Sequence, residues 1–255
     1  MQLTSPTNPK IKFVRSLHQK KCRDQEQRFL VEGETLVAEA LAAGFQPELL
    51  LYTAGLRRSE LAERALESFE VPEAVMAKAT TLSSPPTVVA VCRQQAVSIR
   101  VGAWPCQLIA GGVQDPGNFG ALVRLADAMH LQGVRALNQT VDPFHPKVVR
   151  GSMGSCLRTP IFQQADHQAL AQLKNEGFTL VAAVADGTYT SFNYAFPERC
   201  ALILGSEGQG IEAELLAQAD VRLAIPIRMG VDSLNVSTAA AMLVHEYVRQ
   251  QEARS

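Results

Sequence analysis

The sequence predicts an α/β protein: a parallel sheet covered by helices on both faces, preceded by a smaller α/β domain. Three observations predict it. Short apolar runs recur at Cys106–Ala110, Val134–Leu137, Thr179–Val184, Ala201–Leu204 and Val221–Ile225. Helical stretches separate them, near Gly120–His130, Lys147–Ser155, Gln168–Glu176 and Glu212–Ala219. Apolar strands alternating with helices are what a sheet buried on both sides requires. The last stretch, from Ser233 to about Arg249, puts Val236, Ala240, Leu243, Val244 and Tyr247 on one helical face. At 255 residues and 47% hydrophobic, the chain can fill such a core and carry a second, smaller one.

The smaller domain occupies residues 1–97 and the parallel-sheet domain 98–255. The irregular Thr4-Ser5-Pro6-Thr7-Asn8-Pro9 precedes a helix, since a proline disfavours helix in the residue before it. Phe29–Val31, Leu49–Tyr52 and Val88–Cys92 read as strands. Glu34–Ala43 reads as a helix closed by Gly44, and Arg58–Ser68 as another. Ser83-Ser84-Pro85-Pro86 is a turn, and residues 94–105 are the junction. No internal repeat or low-complexity tract occurs.

The net charge of −1 hides an uneven distribution. Residues 1–30 carry Lys10, Lys12, Arg15, Lys20, Lys21, Arg23 and Arg28 against Asp24 and Glu26. A basic arm of this kind suits phosphate, or is a solvated helix. Phe13 within it could stack on a base or pack inward. The five cysteines are odd in number, scattered and without a C-x-x-C pair. Reduced thiols in a cytoplasmic protein fit that pattern, not a disulfide frame or a zinc site. Three of them lie in or beside apolar runs, as small core residues do. The five histidines lack ligand spacing, so no metal is expected. No run is long enough to span a membrane, and the first residues do not form a secretory leader.

Three segments follow predicted strands: Asp115-Pro116-Gly117-Asn118-Phe119-Gly120 leading to Arg124, Leu204-Gly205-Ser206-Glu207-Gly208, and Ile225-Pro226 followed by Ser233-Leu234-Asn235-Val236-Ser237. Ligands of open parallel sheets sit beyond the carboxyl ends of the strands, so these turns can build one pocket. Gly117, Gly120, Gly205, Gly208, Gly210 and Gly230 would permit unusual backbone angles or a close approach. The chain has no P-loop, and Gly205-x-x-Gly208-x-Gly210 is not the dinucleotide fingerprint. Gly151-Ser152-Met153-Gly154-Ser155 is not a hydrolase elbow. Arg124 lies in an apolar stretch and must reach water, pair with a carboxylate such as Asp127, or hold a phosphate. Glu207 and Asn235 could each be local caps, and Ser233 the N-cap of the last helix.

At these residues the chain resembles the SpoU (TrmH-like) family of RNA ribose 2′-O-methyltransferases. The three segments echo that family's three motifs in order, with Ala126, Asp127, Ile227 and Ala239 included. The likeness spans roughly 106–250. Ser5-Pro6-x-Asn8-Pro9-x-Ile11-Lys12, Phe29-Leu30-Val31-Glu32-Gly33 and Glu39-Ala40 resemble the small L30e-like substrate domain of many members. Leu125 replaces a common threonine, and Ser206 a common asparagine.

The resemblance implies S-adenosylmethionine as methyl donor, a SPOUT-type sheet with a C-terminal trefoil knot, and a homodimer with active sites at the subunit interface. It implies catalytic roles for Asn118, Arg124, Glu207, Ser233 and Asn235. It places the donor against Leu204, Gly205, Glu207, Ile225, Leu234 and Asn235. RNA would meet Lys10, Lys12, Arg15, Lys20, Lys21, Arg23, Arg28 and Arg150, with Lys147 and Arg158 nearby in sequence. The expected substrate is ribosomal RNA, most simply 23S, because the small domain is ribosomal-protein-like. The alternatives are a tRNA methyltransferase and a non-catalytic RNA-binding or ribosome-assembly protein on the same fold.

Overall fold

The computed structural model describes residues 2–163, 168–206, 208–228, 230 and 233–254. In chain order the elements are α1 (Pro9–Ser16), α2 (Lys20–Glu26), β1 (Arg28–Glu32), α3 (Glu34–Ala42), β2 (Pro47–Tyr52), α4 (Glu60–Glu63), β3 (Glu67–Glu70), α5 (Glu73–Ala79) and β4 (Val88–Arg93). They continue as β5 (Trp104–Ala110), α6 (Pro116–Ala128), β6 (Leu131–Ala136), α7 (Pro146–Gly151), a single 3₁₀ turn (Ser155–Leu157), β7 (Ile161–Gln163) and α8 (Gln168–Asn175). The last are β8 (Thr179–Ala183), β9 (Tyr189–Thr190), β10 (Cys200–Leu204), α9 (Ala213–Leu216), β11 (Val221–Ala224) and α10 (Val236–Glu252). Two compact units result: Met1–Ala96 with Phe144–Arg158, and Val97–Pro143 with Thr159–Ser255.

The first unit is built on a sheet of order β1-β4-β2-β3. Strands β1 and β2 run antiparallel to β4, and β3 runs parallel to β2. Side chains alternate across a strand, so Leu30, Leu49, Leu51, Val89 and Val91 share one face. They form one core with Ile11 and Val14 of α1 and with Val75 and Met76 of α5, and Phe13 packs against it. Asn8 caps α1 by accepting from the Lys10 amide at 2.9 Å, and Pro9 opens the helix. The expected helix Arg58–Ser68 shrinks to α4. Phe69 reaches the core by strand pairing with β2, whereas Leu66 stays 66% exposed.

Phe144–Arg158 packs within this unit. Phe144 packs against Phe29 with the rings tilted by 45° and their centroids 4.9 Å apart. Arg150 pairs with Glu32, whose side chain is only 1% exposed, and Arg158 pairs with Glu39. Glu32 also accepts from Thr80 Oγ1 at 2.5 Å.

In the second unit the sheet order is β7-β6-β5-β10-β8-β11-β9, and every strand pair among the described residues is parallel. Strand β10 is buried along its whole length, as a central strand covered on both faces must be. Ile109, Ala201 and Ile203 pack with Leu170 and Leu173 of α8 and Leu215 of α9 on one face. The alternate positions face the layer of α6 and α10. The predicted stripe of α10 is buried, and the Tyr247 hydroxyl donates to the Glu198 carbonyl at 2.6 Å. Strands β7 and β9, of three residues and two, carry too little apolar pattern to be expected.

Four cysteines are buried rather than three, and Cys22 is half-buried. Burial pushes the Cys92 thiol up to about 12 and Cys156 to about 11. A thiol reagent at pH 8 should therefore titrate one cysteine of the folded chain quickly, and all five in denaturant. Fast reaction of several would contradict the packing. Arg150→Ala should leave the buried Glu32 without its charge partner, with only the Thr80 hydroxyl still bonded to it. The expected loss is about 2–3 kcal/mol, below the value for a fully buried pair because Arg150 keeps some contact with water. The shift in the denaturant midpoint checks it.

Candidate active site

The three predicted turns all lie at carboxyl ends of strands in the second unit. The first follows β5, the second β10 and the third β11. Strand pairing holds the first two together: the Gly111 amide donates to the Leu204 carbonyl at 2.8 Å. Thr140, beyond β6, donates its hydroxyl to the Ala110 carbonyl at 2.7 Å and accepts from the Gly112 amide at 3.1 Å. Three loop bases are thus tied into one rim.

Each turn has its own construction. Asp115 caps α6 by accepting from the Asn118 amide at 2.8 Å, and Pro116 opens the helix. After β10, Ser206 and Gly210 exchange backbone hydrogen bonds at 2.9 and 3.0 Å. A Cβ on Gly205 would lie 2.2 Å from the Gly210 carbonyl carbon, so only glycine admits this crossing. Gly210 and Gly230 have positive φ, at 70° and 87°. Gly117, Gly120, Gly205 and Gly208 do not have positive φ, so the expectation of unusual angles fails there.

The N-cap of α10 is Asn235, not Ser233. Its Oδ1 accepts from the Ser237 amide at 2.9 Å, the Ser237 hydroxyl at 2.6 Å and the Thr238 amide at 3.4 Å. That occupies the oxygen end of the amide and turns Nδ2 outward, where it donates to Asn118 Oδ1 at 2.9 Å. Two predicted catalytic residues, 117 positions apart, therefore meet through one hydrogen bond.

Arg124 is exposed on the outer side of α6, because the buried stripe consists of Phe119, Leu122, Val123 and Ala126. Asp127 is not its partner, since Arg100 holds that carboxylate. No described residue hydrogen-bonds or ion-pairs with Arg124. Six helical positions separate it from Asn118, which is about 9 Å of rise and about a third of a turn around the axis. Glu207 lies outside the described residues.

Two cavities open beside these turns. A small apolar one of about 120 Å³ is lined by Ala183, Val184, Ile225, Ile227, Ser233 and Leu234. It gathers two predicted donor contacts, Ile225 and Leu234, with Ser233 at its edge. A larger cleft of about 810 Å³ lies between the loops after β5, β6 and β10. The amide side chains Gln114, Asn138, Gln139 and Gln209 line it. They carry no motif and come from three separate loops, so no sequence signal could single them out. Among the described residues no cluster of three or more His, Cys, Asp or Glu is placed to hold a metal.

The predicted RNA contacts of the first unit divide. Lys12, Arg15 and Lys21 are exposed, as is Lys147, and none has a partner among the described residues. Arg23 is corrected: it is 1% exposed and donates to the Leu17 carbonyl at 2.8 Å, so it is a core residue. Arg28 is held by Glu48 at 2.5 Å and Arg150 by Glu32, so both guanidinium groups serve the fold. Lys10 pairs with Glu67 and Lys20 with Asp24, but both lysines keep much of their exposure. Lys78, outside the predicted basic arm, is also exposed on α5 beside α1.

The Asn235 geometry separates two roles. Asn235→Asp keeps an oxygen for the helix cap but removes the donor to Asn118. It should hold stability within about 0.5 kcal/mol while weakening any activity that needs the pair. Asn235→Ala should also lose about 1 kcal/mol of stability. Thermal melts beside an activity assay check this, and equal activity in both the Asp variant and the parent would remove Asn235 from the site.

Residues 105–245 match the family described as SpoU rRNA Methylase, and residues 8–90 match the MRM3-like substrate binding domain. The chain is 35% identical to an uncharacterized tRNA/rRNA methyltransferase of Synechocystis, over 99% of this chain and 95% of the relative. It is 33% identical to the 23S rRNA (guanosine(2553)-2′-O)-methyltransferase RlmP of Bacillus subtilis, over 96% of this chain and 98% of that one. Among solved structures, an AdoMet-bound rRNA methyltransferase from Sinorhizobium meliloti superposes with a TM-score of 0.87 at 29% identity, covering 98% of this chain and 97% of the other. With the family match covering more than half of its length and relatives aligned nearly end to end, this chain belongs to the SpoU rRNA methylase family.

Proposed function

We propose that the protein transfers a methyl group from S-adenosylmethionine to a ribose 2′-oxygen of RNA, and that the RNA is 23S ribosomal RNA. The observation that carries the proposal is the Asn118–Asn235 pair, held by a helix cap at the rim of the strand ends. Family membership supports the chemistry, and the name of the Bacillus relative supports the substrate. A tRNA substrate is the competing outcome of the assay below.

The residues fit the donor. The apolar pocket of Ala183, Val184, Ile225 and Leu234 has the character a purine ring needs. The neighbouring backbone of Leu204 and Gly205 offers hydrogen-bonding groups at the same sheet edge. When bound, the donor supplies a methyl that carries its own leaving group, so the protein's task is orientation. Asn118 and Asn235 hold the ribose in place, and Ser233 borders the donor pocket. Glu207 belongs to the same reading. The guanidinium of Arg124 is a hydrogen-bond donor and not an acceptor. It therefore polarises the 2′-oxygen and grips the adjacent phosphate, and the hydroxyl proton leaves to water and not to the guanidinium.

Arg124 lies about a third of a turn around α6 from Asn118. A homodimer answers that offset, because a second copy can bring its own Arg124 to the Asn118–Asn235 pair. The same reading gives residues 1–97 the task of holding RNA, through Lys12, Arg15 and Lys21, and gives 98–255 the chemistry and the trefoil knot. Phosphate contacts by such lysines and arginines position RNA without reading it. The protein would work in the cytoplasm; no helix among the described residues is long and apolar enough to cross a membrane.

The test is transfer of labelled methyl to unmethylated ribosomal RNA and, separately, to tRNA. Label should enter ribosomal RNA, and Arg124→Ala should lower kcat/KM by about 10²-fold or more. Mixing Arg124→Ala with Asn235→Ala protein should recover part of the activity if two copies share a site. Label in tRNA alone overturns the substrate, and no loss in the arginine variant overturns its role.

A further inference from the structure

The larger cleft has a chemistry of its own. Its described lining has no lysine and no arginine, and Glu212 is its one charged side chain. Four neutral amides, Gln114, Asn138, Gln139 and Gln209, surround it instead. All four are exposed, and none of their side chains is bonded to another described residue. A cleft for phosphate would present cations or a cradle of amide N–H groups, and a carboxylate at its wall opposes an anion. A neutral amide does something different. It offers a donor and an acceptor side by side, which is the pattern of a nucleobase edge.

The position agrees. The cleft spans the ends of β5, β6 and β10, whereas the small apolar pocket lies at the ends of β8 and β11. Strand β10 is bonded to β5 on one side and β8 on the other, so its loop separates the two cavities. That loop is held closed by the Ser206–Gly210 backbone pair and by the crossing at Gly205. The opposite walls are tied by Thr140 to Ala110 and Gly112. The amides thus hang from a braced rim. About 810 Å³ is ample for an unstacked nucleoside and lies within the range of small-molecule sites.

We infer that this cleft is a base-reading subsite, in which Gln114, Asn138, Gln139 and Gln209 hydrogen-bond the edge of an unpaired RNA base. The inference deepens the methyltransferase reading by naming what chooses the nucleotide. Sequence-specific RNA recognition generally works on such unstacked bases.

The experiment measures binding of the full-length protein to four short single-stranded RNAs, oligo(A), oligo(C), oligo(G) and oligo(U), by fluorescence anisotropy. The parent should bind one of the four at least about tenfold more tightly than the poorest. Gln139→Ala/Gln209→Ala should erase most of that preference while leaving the salt dependence of binding unchanged. Gln114→Ala/Asn138→Ala tests the opposite rim in the same way. Calorimetric titration of S-adenosylmethionine into each variant should give the parent's affinity.

The subsite would be overturned by equal binding of all four RNAs by the parent, by preference retained in both variants, or by loss of donor affinity in their place. A shallower salt slope would assign the cleft to the phosphate backbone and overturn it as well. Methyl transfer is read separately. Base preference lost in the variants but no methyl transferred by the parent would defeat the enzyme reading and leave the subsite standing.

Discussion

The register between β5 and β10 is the constraint on which the site depends. Their five-residue parallel ladder is buried from end to end and cannot slip without exposing apolar side chains. Because it stops at Ala110 and Leu204, the loops that follow leave the sheet side by side. The Gly111–Leu204 hydrogen bond extends the ladder by one step into the rim. The candidate site residues of the second unit are then hung from fixed points: α6 through its Asp115 cap, the β10 loop through Ser206 and Gly210, and the start of α10 through Asn235.

Asn235 shows how a stability device also sets the direction of a second contact. A cap needs only an acceptor, and aspartate or serine would supply it. An amide adds a donor whose direction follows from the cap, because the oxygen is already committed to Ser237 and Thr238. The hydrogen bond to Asn118 therefore needs little further ordering. The guanidinium of Arg124 has the opposite design. It stands exposed on α6, away from the buried stripe, with no hydrogen-bond or ion-pair partner among the described residues.

Much of this was legible in the sequence. Five strands and the long last helix followed from apolar periodicity, and the three turns were placed at strand ends by the glycines, prolines and asparagines after each run. What escaped has physical reasons. Strand β3 lies in a stretch with helical composition and is decided by an edge of β2, a tertiary effect. Arg23 looks like a member of a basic arm until its burial against the Leu17 carbonyl is seen. The choice of Asn235 over Ser233 as cap depends on where the chain enters α10, which periodicity cannot fix to within two residues. The amides of the cleft are scattered across three loops, and only the fold brings them together.

Ribose chemistry at the rim of this sheet is open to a direct test. The most direct measurement is mass spectrometry of the nucleosides released from RNA that the protein has methylated. The added methyl should be found in a 2′-O-methylnucleoside, on the sugar fragment. A methyl on the base fragment, or no methylated nucleoside from any ribosomal RNA offered, would contradict it.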